Sequence, residues 1–223
     1  MFGTRELLHV AVVGTPGQPV DAQARDAIAL GVAEIGRAGV PAGHIVRSRL
    51  WAHDAEARQI ASNARLEVLA GRCRGASSSF IDAERLPEGA AMMIELYALR
   101  STSPPDAKRV AEYDPPIAPP MYVMLDGLLV LSGDTDRSHG IAAQMASIRG
   151  KLDATLAKGG GRWDQVVSMS VFLAKRLEAG AGRAALRANF PELGCPLTIT
   201  TVESYSHPEK LAEIEVTADL GTA

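Results

Sequence analysis

The sequence is poor in aromatic residues, poor in cysteine, and without a long apolar run. Aromatic side chains make up 4% of its 223 residues, so a core built from it must be filled mostly by Ala, Val, Leu and Ile. The two cysteines, Cys73 and Cys195, do not amount to a disulfide framework, and such sparse usage fits a reducing, cytoplasmic setting. Each is expected as a small buried thiol, because the sequence pairs neither with a base. No stretch approaches the roughly 20 apolar residues that a membrane span needs. The apolar run Leu7 to Val13 is short and follows no basic region, so it does not read as a secretory signal. Positive charge is not in excess either. The 23 Lys and Arg stand against 26 Asp and Glu, a net charge of −3, which lacks the basic footprint of a nucleic-acid partner. The five histidines are scattered, with no His or Cys spacing that suggests zinc. The glycines at 159–161 follow no strand, so they do not form a phosphate loop.

What the sequence does contain is a repeat. Apolar residues reach 47%, enough for a sizeable core, and the length allows one large domain or two of about 110 residues. Two apolar, β-branched stretches, Leu197 to Val202 and Ala212 to Thr217, flank a polar turn containing Pro208. A shorter version runs from Ser79 to Ala98. Both copies hold an apolar strand, an acidic residue, a turn with Pro-Glu, and a last strand with Ile-Glu. Ala22-Gln23 matches Ala143-Gln144, Ile45-Val46 matches Val166-Val167, Leu50-Trp51 matches Val171-Phe172, and Pro87-Glu88 matches Pro208-Glu209, all at a separation of 121. Ile94-Glu95 and Ile214-Glu215 are 120 apart, so one residue is lost in the turn.

Periodicity places the elements. Strands are expected at Leu7 to Val13, Ile45 to Trp51, around Phe80, and at Met92 to Leu99. Arg47 and Arg49 alternate with Val46, Ser48 and Leu50, which fits a sheet with one covered face. Helices are expected at Ala22 to Ala38, capped by Asp21, and at Ala55 to Ala70, capped by Asp54. The second half repeats this with a hairpin about Asp126-Gly127, a helix Ile141 to Lys158, a strand Val166 to Leu173 and a helix Arg176 to Phe190. Each half reads β, β, α, β, α, β, β. The fold class is α+β: two tandem lobes, each a mixed β-sheet with two helices on one face. The lobes are expected at 1–100 and 121–223. Residues 101–120 between them carry six prolines and read as an extended linker over the surface. Trp51 and Phe172, paired by the repeat, are expected in the core or between the lobes.

The second half resembles a known family. Ser132-Gly133-Asp134, the helix beginning near Ala143-Gln144, VVSMSVFL, ANFPE, TTVES and AEIEVTA follow the order and spacing of the Rid (YjgF-like, reactive intermediate deaminase) proteins over about residues 121–220. The first half, about 7–99, resembles the family more weakly, and chorismatases are distant two-lobe relatives. The resemblance implies chorismate-mutase-like lobes, a homo-oligomer (a trimer or dimer of two-lobe chains), a pocket between lobes, a small-molecule substrate, and no metal or organic cofactor.

It also implies site residues. The family's substrate-binding Arg, suited to bidentate binding of a carboxylate, corresponds to Ile199 in the second half and Ser78 in the first, so neither copy keeps it. The family's Glu corresponds to Glu213, and to Met93 in the first half. Glu213 is the expected catalytic acid or base. Ser132 and Gly133 match the pocket rim. Arg74 is a candidate for a relocated anchor, His207 borders the expected pocket, and Thr198, Thr200 and Tyr122 are candidates for neutral hydrogen bonds. The expected function is proton relay on a small reactive unsaturated intermediate of enamine, imine or enol/keto type, leading to hydration, elimination or cyclisation rather than ordinary 2-imino-acid deamination. The alternatives are a non-catalytic metabolite binder and a deaminase with a relocated anchor.

Overall fold

The alternation in Met92 to Leu99 sets the architecture of the first half. Met92, Ile94, Leu96 and Ala98 point to one face and are fully buried, while Met93, Glu95 and Tyr97 point to the other. A strand with this pattern covers one face with its own helices and leaves the other for something else. The computed structural model, which describes residues 5–178, 180–191 and 193–221, shows both partners.

The first lobe comprises β1 (Leu7–Val13), α1 (Val20–Arg37), β2 (Ile45–Ala52), α2 (Ala55–Val68), β3 (Ala76–Ile81) and β4 (Met92–Leu99). Its sheet runs β1-β4-β2-β3, with β2 and β3 parallel and the other pairs antiparallel. Helix α1 buries Ala24, Ala27, Ile28, Gly31 and Ile35 at helical spacing. Gly31 lets the helix approach closely, because a Cβ there would meet Leu96 Cδ1 at 2.9 Å. Asp54 caps α2 as expected, accepting from the Ala57 N–H at 2.8 Å. Asp21 does not cap α1. The cap position is Pro19, and Asp21 lies in the first turn, where Arg25 donates to it at 2.9 Å.

After the three-residue strand β5 (Arg109–Ala111), the second lobe comprises β6 (Tyr122–Leu125), β7 (Leu128–Leu131), β8 (Asp134–Thr135), α3 (Ile141–Lys158), β9 (Val166–Ala174), α4 (Ala181–Asn189), β10 (Leu197–Val202) and β11 (Ala212–Asp219). Its sheet runs β10-β9-β11-β7-β6-β5, with β8 pairing β11 from the side. Asp126 and Gly127 both take positive φ, the conformation that a two-residue hairpin turn requires. Helices α1 and α3 start and stop 121 residues apart, so the repeat in sequence is a repeat in structure.

Four expectations need correction. Among the described residues, one strand rather than two precedes α1. The 101–120 segment is more than a connector, since β5 extends the second sheet beside β6; the prolines flank this edge strand rather than interrupt it. The last helix begins at Ala181 rather than Arg176, following a turn at Lys175–Leu177 and Gly180 in the left-handed region. Ala179 in that expected helix and Glu192 in ANFPE lie outside the described residues. Cys73 and Cys195 are free, but half-buried rather than buried.

The lobes meet through the sheet faces that their helices leave uncovered. Val46, Ala76 and Leu99 pack on Val123, Leu125, Leu128 and Val130. Beside them Trp51, Phe80, Phe172 and Tyr205 form an aromatic cluster, with Phe80 and Phe172 stacked at 4.1 Å between ring centroids. The sparse aromatics are thus concentrated where the two halves join. Arg47 and Arg49 do not face an open sheet surface. Arg47 is 3% exposed, and both guanidiniums converge on Glu215, 2% exposed, at 2.8 and 2.6 Å. The opposite lobe covers this face and supplies the countercharge.

Candidate active site

Strand β11 shows the alternation of β4 with different chemistry. Ala212, Ile214, Val216 and Ala218 point to the helices, and Glu213, Glu215 and Thr217 point into the lobe junction. Two carboxylates two residues apart therefore share one face, yet their surroundings differ. Burial alone would raise the Glu215 carboxyl. Arg47 and Arg49 outweigh it and hold the group at about 2. Ser78 also donates to Glu215. Glu213 is 5% exposed and, among the described residues, has no guanidinium ion pair; burial, and then the charge of Glu215, push its carboxyl up to about 8 against the pull of Lys210 and of the Ser78 hydroxyl.

Glu213 borders a cavity of about 500 Å³ between the lobes, within the usual size range of ligand pockets. The first lobe contributes one wall: Arg58, Ser62 and Arg65 from α2, and Ser77 to Ser79 from β3. Arg65 fixes this wall by donating to the Ser78 carbonyl at 2.8 Å and the Ser79 hydroxyl at 2.9 Å. The second lobe contributes Gly133, Asp134, Thr135, Lys210 and Glu213, and the 101–120 segment adds Tyr113 and Ile117 to Pro119. Thr135 sits directly opposite Glu213 in the β8–β11 pairing. Burial raises Asp134 to about 6, opposed by Lys151.

The expected site residues fall into three groups. Glu213, Gly133 and Ser78 line the cavity. Ser132 lies beneath it, buried, with its hydroxyl accepting from the Ser77 N–H at 3.1 Å; the Gly133 N–H donates to the Ser77 carbonyl at 3.2 Å. These bonds clamp the Ser-Gly turn of one lobe to β3 of the other. Gly133 has to be glycine here, because a Cβ would fall on the Glu213 carboxylate. His207 lines an adjoining recess that shares Thr135, Ser206 and Lys210 with the cavity.

The remaining candidates do not line this cavity. Thr198, Ile199 and Thr200 lie on β10, whose outer edge is unpaired among the described residues; it is the first-lobe counterpart β3 that meets the cavity. The repeat makes the two strands equivalent in position, but the other lobe covers β3 along the cavity and meets β10 at its Val202 end. Tyr122 turns into the second-lobe core, with its hydroxyl donating to the Lys158 carbonyl at 3.3 Å. Arg74 is held outside the cavity by an ion pair with Glu112, so it is not positioned as the relocated anchor.

Arg58, Ser62, Arg65, Tyr113, Asp134 and Lys210 escaped the sequence reading. A signal existed for some of them. Arg58, Ser62 and Arg65 recur at i, i+4 and i+7, a polar stripe on one side of a helix that otherwise buries Ala57, Ala61 and Ala64. Asp134 directly follows the Ser-Gly pair. Tyr113 and Ile117 carried none, because nothing local brings a linker over a cavity. Among the described residues no cluster of His, Cys, Asp and Glu could hold a metal ion, and no helix is long and apolar enough to cross a membrane.

No family model matches the chain, and neither does any curated protein. Solved structures do. A chorismatase structure superposes with a TM-score of 0.66 over 95% of this chain and 74% of its own, at 14% identity. A Mycobacterium tuberculosis member of the YjgF/YER057c/UK114 family covers 50% of this chain and 98% of its own, with a TM-score of 0.45 and 18% identity. A conserved Rid-family protein of unknown function from Yersinia pestis covers 51% and 99%, with a TM-score of 0.45 and 21% identity. Over nearly its whole length the chain therefore has the fold of the chorismatase structure, built as two lobes in tandem.

Proposed function

We propose that this protein is an enzyme that moves protons on a small, reactive, unsaturated molecule of enamine, imine or enol/keto type bound between its lobes. The observation that carries this reading is Glu213, a buried carboxyl raised to about 8 at the wall of a cavity, beside Asp134 raised only to about 6. Two acids with separated pKa values divide the work at neutral pH: Glu213 keeps its proton and acts as general acid, while Asp134 is ionised and acts as general base. A proton taken from carbon or nitrogen by Asp134 and one delivered by Glu213 tautomerise the substrate without net change. The same pair serves hydration or elimination when water enters or leaves. The residues and the fold, rather than any relative's activity, support this reading.

The test is deuterium exchange at C3 of 2-oxobutanoate, a keto/enol probe, followed by NMR. Glu213→Gln is expected to slow the catalysed exchange by about 10²- to 10⁴-fold, the usual contribution of a positioned acid or base. The wild-type rate should follow a bell with limbs near pH 6 and 8. Exchange that is unchanged in Glu213→Gln sinks the enzymatic reading and leaves a metabolite-binding protein. Rapid hydrolysis of generic 2-imino acids would return the chain to ordinary deaminase chemistry.

The same proposal extends to assembly and setting. With 1–100 and 121–223 as its lobes, the chain buries the β3 edge against its own second lobe but leaves the equivalent β10 edge open. Leu197 on that edge is exposed. A further copy pairing there supports a homo-oligomer. The two free thiols, Cys73 and Cys195, support a cytoplasmic setting.

A further inference from the structure

The recess beside the Glu213 cavity is built from the second lobe alone and collects positive charge. It measures about 550 Å³ and is lined by Asp136, Arg137, Lys151 and His207, with Ser206 and Lys210 shared with the cavity. Among the described residues its lining holds one acid, Asp136, and that carboxylate is already saturated. It accepts from the Ser138 N–H at 2.7 Å, the Ser147 hydroxyl at 2.7 Å and Lys151 at 2.8 Å, and from the Ser138 hydroxyl as well. Its ion pair neutralises Lys151, which leaves Arg137 and Lys210 with no carboxylate in the lining to pair with. Gathering these cations is unfavourable. Burial, and then the charges of Arg58, Arg137 and Lys151, destabilise the Lys210 ammonium, opposed by Glu213. Neutral donors sit among them. The Ser206 hydroxyl accepts from Lys210 at 3.0 Å and so keeps its own proton to give. His207 Nδ1 accepts from the Glu209 N–H at 3.3 Å, which puts the neutral ring's proton on Nε2. The Glu209 carboxylate, 3.6 Å from the same Nδ1, is exposed and lies outside the lining.

We infer that this recess takes a phosphate group of the substrate, held by Arg137, Lys210 and the Ser206 hydroxyl, while the unsaturated part of the same molecule lies in the cavity beside Glu213. The inference rests on the proposed proton chemistry and adds the substrate's class, a phosphate monoester. Such an ester carries about −1.5 to −2 charges at neutral pH, which matches the two uncompensated cations. A guanidinium and an ammonium both suit phosphoryl oxygens, the first as a planar fork and the second as a point charge. Lys210 and Ser206 line both spaces, so one molecule can occupy them together. His207 adds a further donor to the lining. Because the first lobe contributes nothing to the recess, phosphate binding is separable from the wall made by α2 and β3.

Deuterium exchange on dihydroxyacetone phosphate and on dihydroxyacetone, its counterpart without the phosphate, tests this on the full chain. The ester is expected to exchange with a kcat/KM at least about tenfold higher, the difference that a charge-assisted hydrogen bond makes. Arg137→Ala should remove most of that preference by raising KM with little change in kcat. Arg137 is exposed, so its loss does not threaten folding. Lys210→Met should also lower the preference, and Arg162→Ala, exposed elsewhere on the second lobe, should leave it intact. Equal kcat/KM for the two ketones, or a preference that survives in both Arg137→Ala and Lys210→Met, overturns the inference. Broadening of the ester's phosphorus NMR signal separates the two proposals, since Glu213→Gln should slow exchange but keep a broadening that depends on Arg137. If exchange ignores Glu213 while the broadening depends on Arg137, the phosphate site stands and the proton chemistry falls. If exchange depends on Glu213 and the two ketones behave alike, the chemistry stands and the phosphate site falls. Should neither ketone exchange, broadening that is lost in Arg137→Ala supports the site, and its absence in the wild type overturns it.

Discussion

Glu213 and Glu215 differ at the scale of single residues although they share a strand face. One has two guanidiniums within 3 Å, the other a cavity. The raised Glu213 has a defined effect on stability. Below about pH 4.5 its carboxyl is protonated in both folded and unfolded chains and has no effect. Between 4.5 and 8 the unfolded chain releases the proton while the folded chain keeps it, so stability falls as pH rises through this window. Glu213→Gln should remove that slope, visible as a smaller loss of denaturation midpoint between pH 5 and 8 than in the wild type. Gly133 is a second residue-scale constraint. Gly133→Ala places a methyl on the Glu213 carboxylate, so it should displace the acid and slow exchange while leaving the two hydrophobic cores intact. An unchanged pH–rate profile in Gly133→Ala would show that Glu213 is not held where exchange occurs.

Among elements, α2 does the most for the cavity. Its N-terminus depends on Asp54, which accepts from Ala57 and which that bond holds below the usual carboxylate range. Asp54→Ala should cost roughly 1 kcal/mol of stability. Because Arg65, which fixes the β3 wall of the cavity, lies on the same helix, Asp54→Ala should also slow exchange more than a surface substitution such as Arg162→Ala. Strands β3 and β10 show how equivalent positions in the repeat take unequal roles. Both pair in parallel with the strand that precedes them in the repeat. The first is then covered by the Ser132-Gly133 turn and by Arg65, while the second ends the sheet.

For the whole molecule, the ion pairs across the junction decide how firmly the lobes hold together. Removing one partner of a buried pair leaves a charge without compensation, so Glu215→Ala should destabilise by roughly 3–5 kcal/mol, measured by chemical denaturation. Because Arg47 and Arg49 depress the folded pKa of Glu215 to about 2, its contribution is complete above about pH 4.5 and is lost as the pH falls towards 2. Acid should thus weaken the junction in a window below the one in which Glu213 acts. The open β10 edge gives a further expectation. Light scattering should find an oligomer, and Leu197→Lys on that edge should dissociate it. A monomeric wild type would remove this reading.

The sequence by itself determined the local structure and its duplication. Helical and strand periods are short-range properties, so Ile141 to Lys158, Leu7 to Val13 and Met92 to Leu99 could be read with their boundaries, and the separation of 121 was visible without any contact map. It also singled out Glu213, through the family resemblance. The tertiary structure alone decided what faces what. Whether Arg47 lies on an open sheet or in an ion pair depends on a lobe about 170 residues further along the chain, and no local pattern encodes that. The same holds for the choice of β3 over β10 as the cavity wall, for Tyr122 turning into the core, and for Arg58 facing a carboxyl from the other half. A repeat makes its two copies alike in sequence, but packing one against the other covers one set of surfaces and leaves the equivalent set open. That difference is what builds the Glu213 cavity from two similar halves.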